Sequence, residues 1–219
     1  MKKSLIYITI AAMTVGCSTS EKSTDAAAPL TDSAPLHLLT PDYTYAYGVP
    51  SADSIKAKMH DIYVFLASST PTEVIDRNTG AVITDYSRID STSEIKRGAF
   101  RLTSYEWGVL YAAMLRAGEI TGDTAYTDYA VDRMKFLNAL YPYTSELYAK
   151  GMLTDRQMRQ FTHPEALDDG GAICAAMIKA QAADSTLDFS AMIDNYSDYV
   201  INKEHRLSDG TFARNRPHV

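Results

Sequence analysis

Cysteine is scarce in this chain, with Cys17 and Cys174 the two examples in 219 residues. One pair cannot build a disulfide framework or supply the thiolates of a Cys-type zinc site. Long apolar runs are missing too. No stretch reaches the ~18 consecutive apolar residues that a membrane-spanning helix needs, and the mean hydropathy is −0.20. Positive charge forms no cluster: 21 Lys and Arg against 27 Asp and Glu leave a net charge of −6, which argues against nucleic acid as a partner, because that needs a basic stripe. No His, Asp or Glu spacing suggests a metal, and no motif suggests a cofactor. Alternating strand patterns are nearly absent. What remains is ordinary for one globular domain of good size, 46% hydrophobic and 22% charged.

The N-terminus reads as an address. Lys2 and Lys3 precede an apolar run from Leu5 to Gly16, too short to span a bilayer. The run ends in Thr14-Val15-Gly16-Cys17, which resembles a bacterial lipoprotein signal in which Cys17 receives the lipid; a plain secretory signal is the alternative. Residues 18–40 are rich in Ser, Thr, Ala, Asp and Pro, the composition of a flexible tether. The expectation is a signal peptide over 1–17, a tether over 18–40 and a folded part over 41–219. The protein would be exported and held at a membrane through its lipid, in the periplasm or at the cell surface.

The folded part reads as all-α. Ser51 and Asp53 are cap candidates before Ile55, Met59, Ile62, Phe65 and Leu66, whose spacing predicts a buried stripe. Thr72 to Ser104 reads as a long decorated loop, within which Gly80 to Asp85 could pair locally. Glu106 to Ile120 predicts a helix with Trp107, Val109, Leu110, Ala113, Met114 and Ala117 on one face. Thr121-Gly122-Asp123 breaks it, and Thr127 to Leu140 resumes. Asp168-Asp169-Gly170-Gly171 predicts a cap for a helix over Ala172 to Ala182, and Leu187 to Lys203 predicts another.

The pattern repeats. Tyr111 to Ala117 recurs as Cys174 to Ala180, 63 residues on, and the same offset places Tyr126 on Phe189 and Tyr129 on Met192. Each unit is a helix, a turn, a second helix and a return loop. Such a pair cannot bury its apolar faces alone, so units must stack on neighbours, as an open solenoid or a closed (α/α) toroid.

Four segments then carry a family resemblance: Arg101 to Met114, Thr121-Gly-Asp-Thr-Ala-Tyr126, Ala166-Leu-Asp-Asp-Gly-Gly-Ala172, and His205-Arg-Leu-Ser-Asp-Gly-Thr-Phe-Ala-Arg214. Their order and spacing resemble the unsaturated glucuronyl and rhamnogalacturonyl hydrolases, glycoside hydrolase families 88 and 105. The resemblance covers roughly residues 43 to 219. It implies an (α/α)6 barrel and a substrate carrying the 4,5-unsaturated uronic acid that a polysaccharide lyase leaves at a non-reducing end. The chemistry implied is protonation of the C4–C5 enol ether by an Asp, addition of water at C5, and collapse of the hemiketal with ring opening. Two carboxylates suit this, since mutual repulsion keeps one protonated; it is not the displacement of classical glycosidases.

Carried over residue by residue, Leu167-Asp168-Asp169 matches the first aspartate motif, with Asp169 favoured as the inward carboxylate and Asp168 as the alternative. An Asp-Asp-Gly run before an apolar helix is also an ordinary helix cap. Trp107 matches an aromatic helix start near the sugar, or is a core residue. Arg214 could pair with the uronate carboxylate, or be a solvated loop residue. His163 and His205 are candidate sugar contacts. The resemblance places a second motif, a Trp followed by the main acid Asp, beyond the Asp209-Gly210-Thr211 loop, and these 219 residues do not include it. From Cys17 onward the chain holds just over three repeat units, so the expectation is about half of the toroid, truncated and without its general acid. A non-catalytic glycan-binding lipoprotein of helical repeats, or another (α/α)6 sugar enzyme, are the alternatives.

Overall fold

A computed structural model describes residues 50–213; the expected signal, the tether, Cys17 and Arg214 lie outside them. The described part is all-α with one small sheet. Helix α1 (Ala52–Ser69) starts where the Ser51 side chain accepts a hydrogen bond from the Ser54 N–H at 3.1 Å. Its expected stripe is not buried. Leu66 is, and Met59 and Tyr63 are partly covered, but Ile55, Ile62 and Phe65 are about half exposed, at 47%, 50% and 55%. The spacing was that of a helix face, and among the described residues no element covers most of that face.

The segment expected to be a loop holds a three-stranded antiparallel sheet, β1 (Val74–Asp76), β2 (Val82–Ile83) and β3 (Ser93–Ile95), with β1 central. Val74 faces Ile83 on one side and Ile95 on the other. Strands this short cannot display an alternating pattern. The turn is nevertheless visible in the residues: Asp76 accepts from the Asn78 and Thr79 N–H groups at 2.9 and 2.8 Å, and Gly80 takes a positive φ of 71°.

Helices α2 (Tyr105–Thr121) and α3 (Thr124–Ala149) form a hairpin around Gly122, which is left-handed at φ 72°. The Thr121 hydroxyl donates to the Ala117 carbonyl at 2.7 Å, and Asp123 accepts from the Ala125 N–H at 3.0 Å. The Thr-Gly-Asp element is therefore a helix stop followed by a helix start. Helix α4 (Arg156–Thr162), which hydrophobic spacing did not reveal, buries Met158 and Phe161 completely. Helix α5 (Leu167–Ala183) begins five residues earlier than expected, and α6 (Ser190–Asp198) runs into a π-helical turn, Tyr199–Lys203.

The two repeat units pack through their first helices, each 17 residues long. The approach is close: a Cβ on Gly108 would lie 2.5 Å from the backbone of Ala172 and Ile173. On α2, Tyr111, Met114 and Ala117 are buried as the repeat requires, and Ile173, Ala176 and Met177 answer from α5. Val109, expected on the apolar face, is 60% exposed, and Ala113 is exposed as well, because the face is centred on Tyr111. The second helices contribute Tyr126, Tyr129, Met134 and Leu137 from α3, and Met192 and Tyr196 from α6, with Phe189 just before it. The paired positions of the repeat, Tyr126 with Phe189 and Tyr129 with Met192, are all buried.

Candidate active site

The first turns of α2 and α5 lie side by side. Asp168 and Asp169 occupy the first turn of α5, not its cap; the cap position is Ala166, which offers no side-chain bond. The expectation that Asp-Asp-Gly-Gly caps this helix is corrected, because the helix already starts at Leu167. Acidic residues there still complement the helix dipole.

The two carboxylates have different surroundings. Asp169 is half-buried and accepts a hydrogen bond from the backbone N–H of Tyr105 at 3.1 Å. Ser104, the residue that should cap α2, makes no side-chain cap bond, so Asp169 satisfies one of that helix's orphan donors from across the interface. Asp168 is exposed, accepts from the Asp169 N–H at 3.0 Å, and lines a cavity of about 460 Å³. Glu106 stands near both helices' starts. Its carboxyl is held below the usual range, chiefly by Ser104 and then by its own backbone N–H and the charge of Arg101, while Asp168 opposes the shift.

The same cavity is walled by Glu165, Tyr199, Glu204, His205 and Phe212. His205 and Phe212 belong to a short hairpin that closes on Gly210 at φ 87°, with the Leu207 N–H donating to Thr211 and the Ala213 N–H to His205. The Arg206 guanidinium lies 3.6 Å above the Phe212 ring and donates to the Gly210 carbonyl, which stiffens the hairpin. Oε2 of Glu204 is buried and has no hydrogen-bond partner among the described residues. Beneath the site Tyr196 is fully buried; burial pushes its hydroxyl well above the ordinary range, with Cys174, Tyr141 and Asp169 adding to the effect.

Trp107 lies outside this cavity. It is buried, 8% exposed, packs against Phe100 with ring centroids 5.0 Å apart, and lines a second cavity of about 630 Å³. His163 lines neither cavity; it stacks on Tyr148 at 4.5 Å after the end of α4. The structure therefore brings Asp168 and His205 together, holds Asp169 beside them against α2, and sets Trp107 and His163 apart. Glu204, Tyr199 and Phe212 were not singled out from the sequence, although Glu204 and Phe212 adjoin or fall inside the His205–Arg214 segment. Among the described residues no group of His, Cys, Asp and Glu is placed to hold a metal ion, and no helix is long and apolar enough to cross a membrane.

A family profile described as Glycosyl Hydrolase Family 88 matches residues 74–218, about two thirds of the chain. The chain belongs to glycosyl hydrolase family 88. That family's activity class, glycoside hydrolysis of unsaturated uronides, comes with membership, and the match runs from the sheet through both hairpins to the His205–Ala213 turn. A search of curated proteins finds no match to the chain.

Proposed function

We propose that this family 88 chain acts on oligosaccharides produced by a polysaccharide lyase, binding the terminal 4,5-unsaturated uronic acid in the cavity beside Asp168. One observation carries the reading: two sequence segments distant along the chain, Leu167-Asp168 and His205 to Phe212, form one cavity with an exposed carboxylate in its wall. Such a constellation is the usual form of a small-molecule site.

The reaction follows from the substrate. A carboxylic acid delivers a proton to C4, the C4–C5 double bond supplies the electrons, and the cation at C5 is shared with the ring oxygen. Water adds at C5 and loses a proton to a carboxylate. The hemiketal then breaks its bond to the ring oxygen, leaving a C5 ketone and a C1 hemiacetal that releases the next sugar as an alcohol. An acid and base near the operating pH is what this sequence requires. In this scheme Asp168 contacts the sugar, and Asp169 positions it by tying α5 to α2. Asp168, the exposed carboxyl in the cavity wall, is the acid–base group that this chain presents to the sugar.

The test is the loss of ultraviolet absorbance of the conjugated double bond when the chain is mixed with an unsaturated uronic acid disaccharide. Turnover that Asp168→Asn lowers by about 10²-fold or more, the usual scale for a positioned acid–base group, supports the reading. An absence of turnover with measurable binding would leave a glycan-binding protein instead. We also propose that export ends in lipid attachment at Cys17; incorporation of a labelled fatty acid that Cys17→Ser abolishes is the expected result.

A further inference from the structure

The second cavity differs from the first in charge. It lies between residues 97–101, the start of α2 and the start of α4, and its wall carries Arg97, Arg101 and Arg156. All three are exposed. Among the described residues the arginines in ion pairs are Arg77, Arg116 and Arg159. Two acids face the same space, Glu106 and Asp155, and Asp155 is engaged in capping α4 through the Met158 N–H at 2.8 Å. Three arginines against two acids leave this concave place with an excess of positive charge in a chain of net charge −6, and an excess of one sign in a cleft attracts an oppositely charged ligand.

The wall also has an aromatic platform. Phe100 is 41% exposed and is backed by Trp107. The indole Nε1 of Trp107 is a buried donor without a partner among the described residues, a condition that calls for an explanation in a native protein. Planar guanidinium forks beside an exposed ring suit a carboxylate or sulfate on a pyranose, with the fork taking the oxyanion and the ring taking the apolar face of the sugar. Glu106 lies in this wall, and its neighbour Tyr105 donates its N–H at 3.1 Å to Asp169, the residue after Asp168 of the first cavity, so the two cavities are neighbours.

We propose that this arginine-lined cavity is a subsite for a second acidic sugar of the same saccharide, held by Arg97, Arg101 and Arg156 and stacked on Phe100. The proposal rests on the hydrolase reading for the identity of the saccharide, and names its class as polyanionic, with more than the terminal uronate charged.

Trp107 is the one tryptophan of the chain, so its fluorescence reports on this cavity. The probe is a saturated galacturonan tetrasaccharide, which has no double bond to hydrolyse, with a neutral tetrasaccharide as comparison. The account expects a saturable change with the acidic probe, weakened by added salt. Arg97→Gln, Arg101→Gln and Arg156→Gln should each weaken it about fivefold to tenfold, the scale of one charge-assisted hydrogen bond at a partly exposed site, with the far-UV spectrum unchanged. No change with the acidic probe, an equal response to the neutral one, or indifference to all three substitutions would overturn the proposal. Binding as expected without any turnover of the unsaturated disaccharide would instead count against the hydrolase reading and leave the subsite standing.

Discussion

Helix α1 and the α2–α5 pair began with similar claims to a core, and the structure treats them oppositely. The α1 residues recur at helical spacing, yet Ile55, Ile62 and Phe65 stand half exposed. In the α2–α5 seam, glycine and alanine do the work: Gly108 lets two backbones approach, and Tyr111, Met114 and Met177 fill the space on either side. Periodicity defines a face, and a partner with a complementary small residue decides whether the face is buried. What holds α1 to the rest is its C-terminal end. There Leu66 is buried, and Arg133 of α3 donates to the Thr70 carbonyl and hydroxyl at 3.0 and 2.9 Å while lying 3.5 Å over the Tyr129 ring.

This contrast is open to test by substitution. The largest effect is expected at the seam. Gly108→Ala places a methyl group 2.5 Å from the α5 backbone and should cost about 3 kcal/mol, the upper range for overpacking, as a lower urea midpoint with an unchanged slope. Next comes the anchor of α1. Arg133→Met removes the buried cation and leaves the buried Thr70 carbonyl and hydroxyl without the arginine's hydrogen bonds, which should cost about 2 kcal/mol. Hydrogen exchange should then rise in residues 66–70 while the centre of α2 stays protected.

Asp169→Ala should cost about 1 kcal/mol, the worth of a helix cap, because its carboxylate serves the Tyr105 N–H. Asp168→Asn should stay within about 0.5 kcal/mol as a surface change. The smallest effect on the α1 side is Ile62→Ser, again within about 0.5 kcal/mol, since half of that side chain already meets solvent. An Ile62→Ser cost near that of Gly108→Ala would show that the α1 face is covered in solution. A pH test bears on the sheet. Asp76 is held below the usual carboxylate range, chiefly by the Thr92 hydroxyl and then by Thr79, so it adds stability above the unfolded value of about 3.9. That contribution disappears as pH falls through its lower folded value, and the gap between wild type and Asp76→Ala should close on acidification.

The helices were legible where apolar residues are spaced for burial and bounded by turn residues, as in α2, Thr121-Gly122-Asp123 and α3. The 63-residue repeat was legible because equivalent positions fill equivalent core sites. The sheet was not, since two- and three-residue strands carry no period of their own, and α4 was not, since its burial depends on neighbours distant in sequence. At the site, the Leu167-Asp168-Asp169 and His205–Phe212 segments could be picked out by resemblance. Which carboxylate lines the cavity could not, because adjacent residues on a helix diverge by about 100° and only the placement of α2 distinguishes them. The role of Asp169 as a partner of Tyr105 likewise needs the tertiary contact.

The division of labour between the two aspartates is the centre of the account, and calorimetric titration with an unsaturated uronic acid disaccharide tests it most directly. Binding should fall sharply in Asp168→Asn and persist in Asp169→Ala, with the latter protein less stable. Loss of binding in Asp169→Ala, with Asp168→Asn unaffected, would contradict it.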